Sequence, residues 1–245
     1  MIVFTTYNSS EEHFFGECLN SQREYCRERG YKYLEYRDLG INEEVSWRNF
    51  RVFQGVNMEK TGEKIVFMKP SLMIMNNEFM LEQIDVAQGA VGITQFKSKF
   101  FDSILISRWS VKLQQMLEFC WKFRESGISS RHSYELIETT FPEMLHKFPP
   151  RLLYSRWFGG DASGVKIRVD TSVNFPKLYG DYTEIEILNS PEIIYRPGDF
   201  CVDMGEEKHE VKINSEKFSE LRKRVLDKYN DSKKILRDGT SYRTE

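Results

Sequence analysis

The sequence predicts an α/β fold in which a mixed, mainly parallel sheet is flanked by helices in a single domain. Strand-like apolar runs alternate with helical repeats of apolar residues three times in the first third of the chain. The third run, residues 65–68, is continuously apolar, which is typical of a strand covered on both faces. Hydrophobic residues make up 40% of the chain, enough to build a core around such a sheet.

Local signals predict each element in turn. Residues 2–6 form a short apolar run, and apolar residues then recur at helical spacing over residues 10–29, before Gly30 as a favourable helix end. A second strand is predicted at residues 31–36, a second helix at 45–60 and a third strand at 64–68. The later predictions are strands at 90–96 and 101–107, a helix at 109–123, short strands at 184–188 and 193–195, and a last helix at 215–229.

Charge and hydropathy exclude several classes of partner. The 35 Lys and Arg residues nearly balance the 37 Asp and Glu residues, so no strong field predicts a nucleic-acid or anionic-membrane partner. The longest apolar runs fall far short of the roughly 20 residues that cross a bilayer. The first residues lack the basic and long apolar regions of a signal peptide, so we expect a cytoplasmic protein.

Motifs of several enzyme classes are missing from the sequence. It has no P-loop, GxGxxG, HExxH, GxSxG or zinc-knuckle spacing, which argues against the hydrolases, dehydrogenases and zinc proteases that those motifs define. The four cysteines form no CxxC pair, and we expect them to be reduced, mostly buried thiols.

Five segments carry a family resemblance through their order and spacing. They are Phe4-Thr5-Thr6-Tyr7-Asn8 with the helix behind it, Ser46-Trp47-Arg48, Leu72-Met73-Ile74-Met75-Asn76, Phe101-Asp102-Ser103-Ile104-Leu105-Ile106-Ser107-Arg108-Trp109-Ser110, and Tyr195-Arg196-Pro197-Gly198-Asp199-Phe200-Cys201-Val202-Asp203-Met204-Gly205. Together they resemble the GT-A-fold glycosyltransferases, and most closely the retaining galactosyl- and xylosyltransferase family of yeasts and plants.

The resemblance implies both an architecture and an activity. It implies a Rossmann-like GT-A domain over residues 1–210, with residues 211–245 as a C-terminal helix and polar tail packed on it or extending from it. It implies transfer of a hexose or pentose from a nucleotide-sugar, such as a UDP- or GDP-sugar, to a glycan acceptor. The missing N-terminal anchor fits a cytoplasmic enzyme of bacterial, phage or large-virus origin that builds its own glycans.

The chain departs from the family at its metal site. Where the family carries its DxD motif, this sequence has Lys69-Pro70-Ser71, and Asp203 stands where a metal-binding His is expected. A divalent metal on oxygen ligands usually neutralises the diphosphate of the donor. We therefore expect Lys69, helped by Arg48 or Lys208, to replace the metal through a charge-assisted bond worth about 1.5–3 kcal/mol. No cofactor is assigned, and Mn²⁺ or Mg²⁺ stays open.

Parallel α/β sheets bind ligands outside the carboxyl ends of their strands, and the remaining site candidates lie at such ends. Asp102 takes the place of a family Asn and is a candidate for contact with the donor sugar or the acceptor. The catalytic candidates are thus Lys69, Asp102 and Asp203. The candidates for binding the nucleotide-sugar are Thr5, Thr6, Tyr7, Asp38, Arg48, Ser71 and Lys208, with Asp38 as the acceptor for a ribose or base hydrogen bond.

Two other interpretations stay open. Lys69 can equally be a solvated lysine at a strand end, in a catalytically inactive GT-A-like module that recognises a glycan or a protein. Another kind of α/β nucleotide enzyme is the third possibility, and a different strand order would favour it.

Overall fold

A computed structural model describes residues 1–39, 45–57, 63–96, 99–124, 133–148, 154–156, 167–169, 193–195 and 200–204, and six helical residues between 216 and 227. The strands are β1 (Ile2–Tyr7), β2 (Lys32–Arg37), β3 (Lys64–Met68), β4 (Leu72–Ile74), β5 (Val91–Phe96), β6 (Lys99–Arg108), β7 (Leu145–Phe148), β8 (Tyr154–Arg156), β9 (Ile167–Val169), β10 (Ile193–Tyr195) and β11 (Cys201–Asp203). The helices are α1 (Ser9–Arg29), α2 (Val45–Asn57), α3 (Val111–Phe123) and α4 (Ser133–Thr140), with short 3₁₀ turns at Leu81–Gln83 and Pro142–Met144.

The main sheet has six strands in the order β2-β1-β3-β6-β5-β7. β1 pairs in parallel with both β2 and β3, and β5 pairs in parallel with β7. β6 runs antiparallel to its neighbours β3 and β5, so it alone among these six strands is reversed. The prediction of a mixed, mainly parallel sheet is confirmed.

Helices cover both faces of this sheet. Phe4 and Phe67 pack with apolar residues of α2, α3 and α4 on one face, whereas Val3 and Val66 pack with Tyr25 and Cys26 of α1 on the other. α1 begins with a capping box at Asn8 and Glu11 and ends at Gly30, which adopts a left-handed conformation. Within the described residues, no helix is long and apolar enough to cross a membrane.

A second, three-stranded sheet lies against α1 and has the order β4-β11-β8. β11 runs antiparallel to β4, with Asp203 opposite Leu72, and parallel to β8. Near the carboxyl terminus, Arg222 donates to the carbonyl oxygen of Ile74 at 2.6 Å and to the carboxylate of Glu24 at 2.6 Å. Chain segments that are far apart in sequence therefore meet over α1.

Most element predictions agree with the structure, and the differences have local causes. β3 and β10 have the predicted bounds, and the six described residues within 215–229 are helical. α3 begins at Val111, two residues later than predicted, because the Ser110 hydroxyl accepts a hydrogen bond from the Leu113 amide and caps the helix. The predicted strand at 184–188 and the end of the predicted helix at 58–60 lie outside the described residues.

The cysteines behave as predicted. Cys18, Cys26, Cys120 and Cys201 are all buried free thiols. Burial raises the pKa of Cys26 and of Cys120 to about 12, because an apolar environment disfavours the thiolate.

Two glycines offer a matched test of the packing. A Cβ atom at Gly92 in β5 would overlap the ring of buried Phe148, whereas a Cβ at exposed Gly55 in α2 meets nothing within 4 Å. We expect Gly92→Ala to lower the free energy of unfolding by about 1–3 kcal/mol through overpacking. Gly55→Ala should raise it by about 0.5–1 kcal/mol, since alanine favours the helix. Urea denaturation measures both, and a neutral Gly92→Ala would contradict this packing of β5 against β7.

Candidate functional site

Lys69 and Asp102 form an ion pair at the carboxyl end of β3. The pairing of Met68 with Ile104 aligns β3 and β6, and the Lys69 amide continues this alignment by donating to the Ser103 carbonyl oxygen at 2.8 Å. The Lys69 ammonium then lies 2.9 Å from a carboxylate oxygen of Asp102, with side-chain exposures of 11% and 20%. The register of two antiparallel strands thus brings together two charges 33 residues apart.

Asp203 is 1% exposed and binds two serines that lie close in sequence to this pair. One of its carboxylate oxygens accepts a hydrogen bond from the Ser71 hydroxyl at 2.9 Å, and the other accepts from the Ser103 hydroxyl at 2.5 Å. The Met204 amide also donates to the Ser71 carbonyl oxygen at 3.0 Å. Asp203 therefore connects β11 to the turn after β3 and to β6.

Gln22 of α1 holds the same turn from the other side. Its side chain is fully buried, and its amide nitrogen donates to the carbonyl oxygens of Lys69 and Leu72, each at 2.8 Å. Its amide oxygen accepts from the Tyr33 hydroxyl at 3.0 Å. Gln22 thus fixes the backbone that carries Lys69 and Ser71.

At the end of β1, the predicted contact residues are engaged by other side chains. The Thr6 hydroxyl donates to the Asn49 side chain in α2. The buried Tyr7 hydroxyl donates to Glu35 at 3.2 Å, and burial together with the Glu35 charge raises the pKa of Tyr7. These contacts fix the end of β1 between α2 and β2.

Asp38, predicted to accept a hydrogen bond from ribose or base, binds the start of α1. Its carboxylate accepts from the Ser9 amide at 2.8 Å and from the Ser9 hydroxyl, and these hydrogen bonds lower its pKa. Its backbone has a φ of 48°, the left-handed region that Asp tolerates better than most residues. This carboxylate therefore joins the segment after β2 to the start of α1.

Two buried polar atoms near the end of β1 lack a hydrogen-bond partner. Among the described residues, these are the hydroxyl of Thr5 and the amide nitrogen of Asn49. Buried polar groups are nearly always paired, and exceptions are typical of positions completed by a water or a ligand. This edge of the sheet therefore still has unmet hydrogen-bonding capacity.

The described residues do not fit a divalent metal. In the ranges that the structure describes, no group of three or more His, Cys, Asp or Glu side chains is placed to hold one. Both carboxylate oxygens of Asp203 accept hydroxyl hydrogen bonds, and an ammonium lies at the strand end. Metals such as Mg²⁺ and Mn²⁺ need several oxygen ligands, which these described side chains do not provide together.

Most of the predicted site residues are paired with other side chains, and two of them are not described. Lys69 pairs with Asp102, Ser71 with Asp203, and Thr6, Tyr7 and Asp38 each have their own partners. The side chain of Arg48 and all of Lys208 lie outside the described residues. Sequence reasoning missed Ser103, Gln22 and Asn49. The sequence did contain a signal for Gln22. It lies four residues after Cys18 and four before Cys26, so it is a polar residue on the buried stripe of α1.

Comparison by sequence identifies no relative: no protein-family model and no curated protein matches this chain. Comparison by structure does find similar proteins. The chain is similar to a glycosyltransferase involved in the glycosylation of the major capsid of PBCV-1, with a TM-score of 0.59 and 13% identity over 88% of this chain and 98% of that one. It is also similar to an active-site mutant of LgtC, with a TM-score of 0.49 and 8% identity over 90% and 95% of the two chains.

The first of these alignments spans nearly all of both chains. Together with the observed strand order and the helices on both faces, it shows that this chain has the GT-A fold in a single α/β domain. The similar structures are glycosyltransferases. At this level of identity the likeness concerns the fold.

Gln22 and Asp203 hold the turn over residues 69–72 from two sides, and we call this arrangement the clamp. Two variants test the Gln22 side of the clamp. Gln22→Met removes the donors to two buried carbonyl oxygens and the acceptor for Tyr33, so we expect it to cost about 3 kcal/mol of unfolding free energy. Tyr33→Phe removes one hydrogen bond and should cost about 1 kcal/mol. Urea denaturation compares them, and equal losses would contradict a clamp centred on Gln22.

Proposed function

We propose that this chain is a glycosyltransferase that uses a nucleotide-sugar donor at the carboxyl edge of its sheet. The observation that carries the proposal is the Lys69–Asp102 ion pair, since it sets a largely buried ammonium at the end of the central strand β3. The GT-A fold supports it, because α/β sheets bind ligands at this edge. The similar structure that is involved in glycosylation of the major capsid of PBCV-1 is a glycosyltransferase, which points in the same direction.

In this proposal Lys69 contacts the diphosphate of the donor and stabilises the negative charge of the leaving group. An ammonium carries three N–H donors, so it can contact a carboxylate and a phosphate oxygen at the same time. Partial burial strengthens that contact, because the local dielectric constant is lower than that of water. Transfer then proceeds without a metal, with Arg48 and Lys208 as further candidate cations.

Asp102 has two roles in the same proposal. Its carboxylate orients Lys69 and also faces the developing positive charge of the sugar in an oxocarbenium-like transition state. Thr5 and Asn49 supply unpaired polar atoms near β1, where we place the nucleoside. We further propose a UDP- or GDP-linked hexose or pentose as donor, a glycan as acceptor, and a cytoplasmic enzyme of viral or bacterial origin.

One observation favours a second candidate, a catalytically inactive GT-A-like module that binds a glycan or a protein. Among the described side chains, the Lys69 ammonium is already paired with the Asp102 carboxylate at 2.9 Å, so this pair carries no net charge. A neutral pair attracts an anionic diphosphate less than an unpaired lysine does. Release of UDP or GDP from a panel of sugar donors, with glycan acceptors present, separates an enzyme from a module.

Charge variants test the role of Lys69. Lys69→Met should weaken UDP binding about tenfold or more, because it removes a charge-assisted bond. Asp102→Asn should leave UDP binding intact or tighten it, since a negative charge disappears, while sugar transfer slows. Calorimetry measures affinity and UDP release measures transfer. Lys147→Met, which breaks the exposed Lys147–Glu138 pair, is the matched control and should change neither quantity.

A double variant distinguishes a direct contact between Lys69 and the phosphate from the effect of leaving the Asp102 carboxylate without its partner. Lys69→Met combined with Asp102→Asn removes both charges, so no partly buried carboxylate is left without its partner. We expect the double variant to bind UDP as weakly as Lys69→Met does. Restored UDP affinity in the double variant would contradict a direct contact between Lys69 and the diphosphate.

A further inference from the structure

A cavity of about 650 Å³ lies on the α1 face of the sheet, between the segment over residues 76–85 and the edge strand β7. Its size is within the range of pockets that bind small molecules. It is remote from the Lys69 edge. Lys64, at the opposite end of β3, donates to the carbonyl oxygens of Glu82 at 2.7 Å and Ile84 at 2.5 Å, so this wall is fastened to the amino end of the strand. Lys64 and Lys69 are roughly 16 Å apart along the chain at about 3.3 Å per residue.

The wall of this cavity is held in place by buried contacts behind it. Phe79 stacks on Phe200, with ring centroids 4.5 Å apart, and its carbonyl oxygen accepts from the Tyr25 hydroxyl at 2.7 Å. Arg29 donates to the carbonyl oxygen of Asn77 at 2.7 Å. On the opposite side, the His146 ring packs on Phe148 at 4.7 Å. A wall fixed in this way loses little conformational entropy when a ligand binds.

The lining combines aromatic rings with carboxylates and amides. Phe79 and Phe148 supply apolar faces, Glu78 and Asp85 supply carboxylates, and Asn76 and Gln83 supply amides. None of the nine described lining residues is Lys or Arg. Two carboxylates without a lining cation disfavour a phosphate or another anion. The cavity therefore suits a different ligand from the one proposed for the Lys69 edge.

A neutral sugar matches this lining better than a cation does. A pyranose presents a C–H face that packs on aromatic rings, and hydroxyls that donate to carboxylates and pair with amides. The Asp85 side chain is 92% exposed and lies 3.7 Å from the Arg108 guanidinium, so its charge is both hydrated and partly balanced. A carboxylate in that state attracts a cation weakly, yet still accepts hydrogen bonds from hydroxyls.

We propose that this cavity is a second carbohydrate site, which binds a neutral saccharide independently of the Lys69 edge. A transferase would use it to hold a glycan away from the reacting centre, and a module without catalysis would bind the same ligand there. The saccharide site therefore does not depend on sugar transfer. Failure of the saccharide to bind and failure of the protein to transfer sugar are separate results.

Saturation-transfer NMR and calorimetry with lactose, cellobiose and mannobiose test this site on the full chain. We expect at least one of these disaccharides to bind, and excess UDP not to displace it. Asp85→Ala removes a hydrogen-bond acceptor, and Gln83→Trp fills the mouth of the cavity, so each should weaken binding at least tenfold. Both side chains are exposed, so the fold should persist, and circular dichroism confirms it. Glu143→Ala, an exposed acid outside the cavity, is the control and should bind normally.

Three results would overturn the proposal. The first is that none of the disaccharides binds the unmodified protein. The second is that UDP displaces the bound sugar, or that both cavity variants bind normally, since the sugar would then occupy another place. The third is that spermidine binds with sensitivity to Asp85→Ala while the sugars do not, which would make the cavity a cation site.

Discussion

The buried carboxylate of Asp203 fixes the carboxyl edge of the central sheet. A carboxylate that is 1% exposed is costly unless hydrogen bonds replace its water, and the Ser71 and Ser103 hydroxyls supply them from two different elements. The Gln22 side chain holds the same turn by donating to the carbonyl oxygens of Lys69 and Leu72. The turn is thus clamped on both sides, and its position determines where the Lys69 ammonium lies.

The clamp explains how a nearly neutral chain holds one ammonium at a defined place. The 35 basic and 37 acidic residues balance over the whole molecule, so overall charge says little about an anionic ligand. At the end of β3, the Lys69 ammonium is held 2.9 Å from the Asp102 carboxylate. The proposed contact with a diphosphate depends on this local arrangement. Because the ion pair is neutral, a module without catalysis is the second candidate function.

The sequence allowed the fold to be predicted because its signals are local. The strands β1, β2 and β3 show short apolar segments, α1 shows a helical apolar period, and each ends at a clear stop. Together these signals place Lys69 at a strand end. The three-residue strand β4 has too few residues to show a period, and the reversal of β6 depends on its neighbours in the sheet.

The partners within the site could not be predicted in the same way. The Lys69–Asp102 pair needs the register between β3 and β6, and the hydrogen bonds of Asp203 cross 132 and 100 residues. No local pattern contains that information. Asp38 shows the converse case, since its position at a strand end was predicted but its binding to Ser9 depends on a turn geometry that was not.

We propose that this edge binds a nucleotide-sugar with Lys69 in place of a metal. Calorimetric titration with UDP- and GDP-sugars, on protein stripped with EDTA and again after addition of Mn²⁺, tests it most directly. We expect one donor to bind with the same affinity in both conditions. Binding that appears only with Mn²⁺ would contradict it.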